Sequence, residues 1–146
     1  AVGRGADIAD DVRELGAHIY VDTRVEDPVV QLQDMGGAHV ILTTITDSAA
    51  ASSLVPGLAP QGRLLVVGVG REPLAIMPAA LVGGERMIQG NLTGTPFESE
   101  RALDFSVLTD VRPLIETMPL ENALEAYQRM MSGQVKFRMV LTMNAG

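Results

Sequence analysis

The hydrophobic residues of this chain form short runs that alternate with stretches of helical spacing. The runs at residues 38–43 and 63–69 are almost continuously apolar and rich in β-branched side chains, which predicts buried strands. Over residues 6–15 and 28–35, apolar residues instead recur every three or four positions, which predicts helices. Repeated helix–strand units of this kind predict an α/β fold with a mostly parallel sheet.

Cap and turn residues indicate where further elements begin. Asp27 and Pro28 form a typical helix start, and Asp47 or Ser48 can cap a helix over residues 49–58. The remaining predicted elements are a strand at 18–21, a helix end at 81–84, a strand at 86–92, a helix at 96–108 capped by Thr95, a helix at 119–131 and a last strand at 137–143.

Composition narrows the possible functions. The chain has 146 residues, of which 47% are hydrophobic and 20% charged, so it is expected to fold as one unit. Its formal charge of -7 argues against a nucleic-acid partner, which would need a basic face. Cysteine is absent, and His18 and His39 are the only histidines, so thiol chemistry and a metal site are not expected.

No membrane partner is expected either. The longest apolar stretches are broken by glycine or proline well short of the roughly 20 residues that span a bilayer. The first residues also lack the basic-then-apolar pattern of a signal peptide. We therefore expect a cytoplasmic protein.

A glycine–arginine pair is a candidate nucleotide contact. The sequence Gly3-Arg4-Gly5 begins like a dinucleotide fingerprint, but Ile8 occupies the third glycine position, where a helix must pack closely on a strand. A ribose-recognising turn fits better, because glycine followed by arginine leaves room and positive charge for a 2′-phosphate. The pair thus favours NADP. The competing interpretation is a plain glycine turn with a solvated arginine.

Two strand ends carry residues suited to a bound ligand. Thr44 stands among threonines that close one predicted strand, and Gly68-Val69-Gly70 closes the next. Open α/β sheets bind ligands outside the carboxyl ends of their strands, and glycines there allow the backbone to approach a flat ring. Simple strand termination would explain the same residues.

Other polar residues receive structural interpretations. The carboxylates that could suggest acid–base chemistry are interpreted as exposed helix-start charges, and they are Glu98, Glu100, Glu116 and Glu121. The eight methionines are interpreted as core filling. The sequence contains no G-x-S-x-G elbow, so it does not suggest a serine nucleophile.

Four segments occur in an order and spacing that match a known family. They are residues 14–18 with 21–22, 58–64 with 67–69, 90–95, and 136–141. Together they resemble the medium-chain, zinc-type alcohol dehydrogenases nearly from end to end. The resemblance implies a Rossmann-type, doubly wound, mostly parallel sheet in strand order 3-2-1-4-5-6, present here only in its later two-thirds with the C-terminal tail.

The resemblance also implies which residues meet a nicotinamide dinucleotide. Gly3 and Arg4 would lie at the adenosine ribose, Thr44 beside the cofactor and Arg138 at the pyrophosphate. Backbone groups would line the nicotinamide carboxamide, and they belong to Val67, Val69, Asn91 and Thr93. Gly68 is a further cofactor-binding candidate. The implied cofactor is NADP or NAD, with NADP favoured.

By the same resemblance, the sequence is one part of a longer enzyme. The first strand, the glycine-rich turn and a catalytic domain holding the zinc would precede Ala1. The parent reaction would be reversible hydride transfer between an alcohol and an aldehyde or ketone, and this part alone would be inactive. A part of a zinc-free quinone reductase and a non-enzymatic α/β binding or oligomerisation module are the alternatives.

The implied strand order raises a physical difficulty. The missing first strand would lie centrally, so its neighbours would expose two unpaired apolar edges. We expect either direct pairing of those neighbours or an exchange of elements between chains. The resemblance implies a second association, through the edge strand that begins at Met87 and ends at Leu92. A homo-oligomer is therefore expected.

Overall fold

The computed structural model describes residues 1–143, in which strands alternate with helices. The strands are β1 (Val2–Gly3), β2 (Val21–Asp22), β3 (Ala38–Thr43), β4 (Leu58–Val66), β5 (Met87–Gly90), β6 (Ile115–Pro119) and β7 (Arg138–Thr142). The helices are α1 (Ala9–Glu14), α2 (Pro28–Asp34), α3 (Ser48–Ser53), α4 (Pro78–Val82), α5 (Pro96–Thr109) and α6 (Ala123–Met131). Short 3₁₀ turns lie at Ala6–Ile8, Val55–Gly57 and Leu120–Asn122.

All strand pairs are parallel, and they form three sheets. β1 pairs with β2, β4 lies between β3 and β5, and β6 pairs with β7. Each pair of strands that follow one another in the chain is joined through a helix, as parallel connections require. The α/β class and the Rossmann-type parallel arrangement predicted from the sequence are confirmed.

β1 and β3 each have one unpaired edge in the described part of the chain. The two strands belong to separate sheets, so the expected direct pairing across the gap is wrong. Val40 and Leu42 of β3 are 51% and 61% exposed. This corrects the expectation that the strand is buried on both faces, since residues 1–143 leave more than half of each side chain exposed.

The most deeply buried core lies around β4. Val55, Leu58 and Leu64 are at most 1% exposed, and burial of such side chains is the main favourable contribution to folding. Partly buried side chains from β3, β4, the loop before α4 and α4 itself surround them, and these are Ile41, Val66, Ile76, Ala80 and Leu81. The core thus anchors the middle strand of the three-stranded sheet.

Several element boundaries differ from those predicted. β2 contains only two residues, because its pairing is limited to Val2 with Val21 and Gly3 with Asp22. β4 begins earlier than predicted, at Leu58, and the residues after Val66 leave the sheet. β5 ends at Gly90, short of the predicted residue 92. β6 was not predicted at all.

The chain exposes far more surface than a compact protein of its mass. Its accessible surface is 10857 Å² at 15.5 kDa. The usual scaling gives about 7,200 Å² for a folded monomer of that size. Exposed apolar side chains occur along the whole chain, and on α5 Phe97, Leu103 and Phe105 are each more than 60% exposed. None of the described helices combines the length and apolar character needed to cross a membrane.

Candidate functional site

A cleft of about 450 Å³ opens at the carboxyl ends of β3, β4 and β5. The segments that follow these three strands supply most of its walls. Its lining residues are Ile45, Ser48, Ala51, Val66, Val67, Gly68, Val69, Gly70, Glu72, Leu74, Gly90, Asn91 and Leu92. Open parallel sheets bind ligands at this edge, so the cleft is the first candidate for a binding site.

Backbone hydrogen bonds hold the floor of the cleft together. The Thr43 carbonyl accepts from the N–H groups of Val67 and Gly68 at 3.0 and 3.2 Å. On the other side of β4, the Asn91 N–H donates to the Val66 carbonyl at 3.0 Å. These bonds continue the parallel ladder past the assigned strands and fix the backbone of residues 67, 68 and 91 relative to one another.

Gly68 is in close contact with the end of β3. A methyl group at this position would overlap the Ile45 carbonyl oxygen and lie 2.7 Å from the carbonyl carbons of Ile45 and Thr44. Gly90 differs, because no atom lies within 4 Å of the place where its side chain would begin. Glycine is therefore required at position 68 for packing, while position 90 leaves space open.

Two serine hydroxyls of α3 form hydrogen bonds with the loop that follows β4. Ser48 donates to the Glu72 carbonyl at 2.6 Å, and Ser52 accepts from the Ala75 N–H at 3.1 Å. The helix itself is capped by Asp47, which accepts from the Ala50 N–H at 3.0 Å. The loop after β4 is thus held from both of its ends.

The structure brings together only some of the predicted site residues. Val67, Gly68, Val69 and Asn91 line the cleft, and the Thr44 backbone packs against Gly68. Thr93 lies beyond the residues that line the cleft and is exposed.

Three predicted residues lie in other sheets. Gly3 and Arg4 are at the end of β1, and Arg138 begins β7. The cleft residues that sequence reasoning missed include Ile45, Ser48 and Glu72. The signal that could have found Ser48 and Glu72 is polarity close to a strand end.

A second polar region joins the turns that follow β1 and β2. The Asp22 carboxylate, nearly buried, accepts from the N–H groups of Gly5 at 2.8 Å and Arg24 at 3.0 Å. The Gly3 carbonyl accepts from both the N–H and the hydroxyl of Thr23 at 3.0 Å. The N–H groups of Arg24 and Gly5 hold the pKa of the Asp22 carboxyl below its ordinary value.

Gly3 has a packing role in this region. A methyl group there would meet the Tyr20 hydroxyl oxygen at 2.7 Å and Cε2 at 2.8 Å, so the tyrosine ring occupies the space beside Gly3. The Tyr20 hydroxyl donates to the Gly5 carbonyl at 2.8 Å, and burial raises its pKa. Tyr20 and Asp22 were not predicted as part of any site.

The structure corrects the interpretation of Glu116 as a helix-start charge and confirms that of Glu98. Glu116, interpreted as a helix-start charge, lies in β6 and accepts from the Lys136 N–H at 2.8 Å and from Arg129 at 2.6 Å. The Lys136 N–H, together with Arg129, lowers the Glu116 pKa. Glu98 is confirmed as a helix-start residue, because it forms a capping box with Thr95 at the start of α5.

Comparison with known proteins gives a consistent result. A family model described as "Zinc-binding dehydrogenase" matches residues 1–107. The alcohol dehydrogenase patD of Penicillium expansum is 37% identical over 143 residues, and an alcohol dehydrogenase of Geobacillus stearothermophilus is 32% identical over 140 residues. The matches cover 98% and 92% of this chain but 42% and 41% of those proteins. The chain therefore spans about two fifths of the length of these relatives.

A solved structure shows the same fold. The crystal structure of the alcohol dehydrogenase from the archaeon Aeropyrum pernix superposes with a TM-score of 0.87 at 26% identity. The superposition covers 97% of this chain and 41% of that one.

The residues of this chain do not fit a zinc site. The sequence contains no cysteine. Within residues 1–143, no three histidine, aspartate or glutamate side chains come close enough to hold a metal ion. Zinc is normally held by three or four such ligands, so no zinc-dependent step is assigned to these residues.

We expect Gly68→Ala to destabilise the protein by about 1–3 kcal/mol, because the added methyl group must push the ends of β3 and β4 apart. Gly90→Ala is the matched control. Its methyl group enters open space, so its effect should stay within about 1 kcal/mol. Urea unfolding followed by circular dichroism measures both, and equal effects of the two substitutions would contradict the packing role of Gly68.

We expect Asp22→Asn to lower stability at pH 7, with a difference from wild type that shrinks on acidification. The native pKa of Asp22 is depressed, so its ionised form stabilises the fold above the ordinary value of 3.8, and this contribution is lost as the pH falls through the native pKa. Urea midpoints between pH 7 and 3 test this. Asp110→Asn is the control, because that side chain is 81% exposed. A pH-independent difference for Asp22→Asn would exclude the ionised contact.

Proposed function

Since this chain belongs to the zinc-binding dehydrogenase family, we propose that it is the part of an NAD(P)-dependent alcohol dehydrogenase that holds the dinucleotide. The observation that carries the proposal is the cleft at the carboxyl ends of three adjacent parallel strands. Relatives that match nearly the whole chain at 37% and 32% identity are alcohol dehydrogenases. The parent reaction proposed is reversible hydride transfer between an alcohol and its aldehyde or ketone.

The cleft residues suit the nicotinamide end of the cofactor. Hydride transfer to and from the nicotinamide ring is the chemistry that the bound cofactor supplies. The strand ladder fixes the backbone of residues 67, 68 and 91. Backbone groups of Val67, Val69 and Asn91 would hydrogen-bond the carboxamide, with Thr93 beside them. Gly68 lets the loop after β4 pack closely against the backbone of Thr44 and Ile45, which positions the floor of the cleft. These residues bind and orient, and catalysis by position depends on such fixed groups.

The adenosine end is proposed to lie at the β1 turn. Arg4 is exposed there, and its guanidinium makes no hydrogen bond or ion pair with residues 1–143. It can therefore meet a 2′-phosphate, which favours NADP. Gly3 keeps this turn close to β2 by admitting the Tyr20 ring. Arg138 is proposed as a pyrophosphate contact on the same charge argument.

Binding without turnover is the behaviour proposed for the chain as it stands. Its residues supply no donor set for zinc, and the sequence contains no complete G-x-G-x-x-G turn for the pyrophosphate. Affinity for the dinucleotide should therefore be weak, and alcohol oxidation should require catalytic groups that residues 1–143 do not supply.

The proposal is tested by calorimetric titration of the 146-residue chain with NADPH and with NADH. We expect NADPH to bind about tenfold more tightly, equivalent to about 1.4 kcal/mol, because a charge-assisted contact to the 2′-phosphate is present only for NADPH. Arg4→Gln should reduce this preference and leave NADH binding unchanged.

Arg112→Gln is the matched control, since Arg112 pairs with Asp110 on the surface at 2.9 Å. Failure of both dinucleotides to bind would reject the proposed function. Equal binding of the two would reject only the preference for NADP.

We also propose that the chain forms a homo-oligomer through the free edge of β5. Within the described residues β5 pairs only with β4, and all four of its residues are exposed. An unpaired strand edge readily pairs with another chain. The large excess of exposed surface supports association. Exchange of elements across the gap between β1 and β3 is the alternative route to association.

Light scattering after size exclusion should return a dimer, with twice the 15.5 kDa of one chain. Met87→Lys should shift the protein toward the monomer, because a charge on an edge strand opposes edge-to-edge pairing. Leu103→Lys on the exposed α5 is the control and should leave the dimer intact. If only the α5 substitution dissociates the dimer, the β5 edge is not the interface.

A further inference from the structure

The turns after β1 and β2 form one rigid polar unit. The Asp22 carboxylate bridges the N–H groups of Gly5 and Arg24, while Thr23 binds the Gly3 carbonyl twice. Because these bonds cross between the two turns, the backbone of one cannot shift without the other. The backbone positions of residues 4 and 24 are therefore held relative to each other.

The Arg24 side chain bends back toward the β1 turn. A methyl group built on Gly5 would lie 3.3 Å from Nη1 of Arg24 and 3.5 Å from its Cζ. Gly5 has a φ of 104°, a conformation that side-chain-bearing residues rarely adopt, and it leaves the space through which the guanidinium passes. Arg24 is thereby brought next to the segment that carries Arg4.

Both guanidinium groups have unused donors. Arg4 and Arg24 form no ion pair or side-chain hydrogen bond with any residue between 1 and 143. Four of the other arginines bind protein acceptors, namely Arg13, Arg86, Arg112 and Arg129. What sets Arg4 and Arg24 apart from the remaining arginines is their position at the ends of adjacent strands.

The neighbouring acids leave those donors free. Asp22 uses the same carboxylate oxygen for two backbone N–H groups. Asp7 also points toward Gly5, but it forms no ion pair with Arg24. Two positively charged forks therefore stand at the ends of adjacent strands without a protein acceptor.

We propose that Arg24 is a second specificity-determining residue for NADP, acting with Arg4 on the 2′-phosphate of the adenosine ribose. The inference rests on the proposed function, since it concerns the same dinucleotide. A guanidinium fork matches the oxygens of a phosphate group, and two forks from neighbouring strands can hold one phosphate from two sides. The 2′-hydroxyl of NAD offers no such charge, so Arg24 acts only on NADP.

The test is calorimetric titration of the 146-residue chain with adenosine 2′,5′-bisphosphate and with 5′-AMP, which differ by the 2′-phosphate. We expect Arg24→Gln to weaken binding of the bisphosphate about five- to twentyfold and to change 5′-AMP binding by less than about twofold. Arg24→Lys should keep part of the affinity, because it retains the charge but loses the fork. Arg112→Gln is again the control of equal charge change.

Thermal unfolding shows whether the variants fold. The Arg24 N–H that Asp22 accepts is retained in each substitution, so the melting temperature should not change. If the wild-type chain binds neither ligand, nor NADPH nor NADH, the proposed function fails together with this inference. If the bisphosphate binds more tightly than 5′-AMP and Arg4→Gln removes that difference while Arg24→Gln does not, only the role of Arg24 is overturned.

Discussion

Parallel hydrogen bonding among β3, β4 and β5 is the interaction on which the candidate site depends. Strands that run in the same direction must end at the same edge, so the segments following them are brought together however far apart they lie in the chain. The buried Leu58 and Leu64 hold β4 in the middle of this arrangement. The Thr43 carbonyl then extends the ladder to the loop after β4, and the peptide groups of that loop become fixed donors and acceptors.

Elements encoded by neighbouring residues could be predicted from the sequence, and elements created by distant pairing could not. Asp27 with Pro28 starts α2, and Thr95 with Glu98 starts α5, each through contacts within one turn. β6 carries no comparable local signal, because it contains Glu116 and ends in proline. It exists through its pairing with β7 and through the hydrogen bond from the Lys136 N–H to Glu116, about twenty residues away in sequence.

The candidate site shows the same division. Gly68 and Val69 could be predicted because they close an apolar strand, and Val67 and Asn91 were predicted only from the family resemblance. The contact of Tyr20 with Gly3 could not be predicted, because the pattern of apolar residues does not show which strands are neighbours. The contact also gives Gly3 a packing role that was not expected. Gly3 was expected to leave room for a phosphate, and in the structure the Tyr20 ring occupies the space beside it. The bridging role of Asp22 is hidden for the same reason.

The ion pair between Lys136 and Asp11 links the C-terminal unit of β6, α6 and β7 to α1. It joins positions 125 apart in sequence at 3.0 Å, and it is the side-chain hydrogen bond that connects this unit to α1 within the described residues. The lysine side chain is 55% exposed, so dissolved ions screen the attraction. Higher ionic strength therefore weakens this attraction between the C-terminal unit and α1.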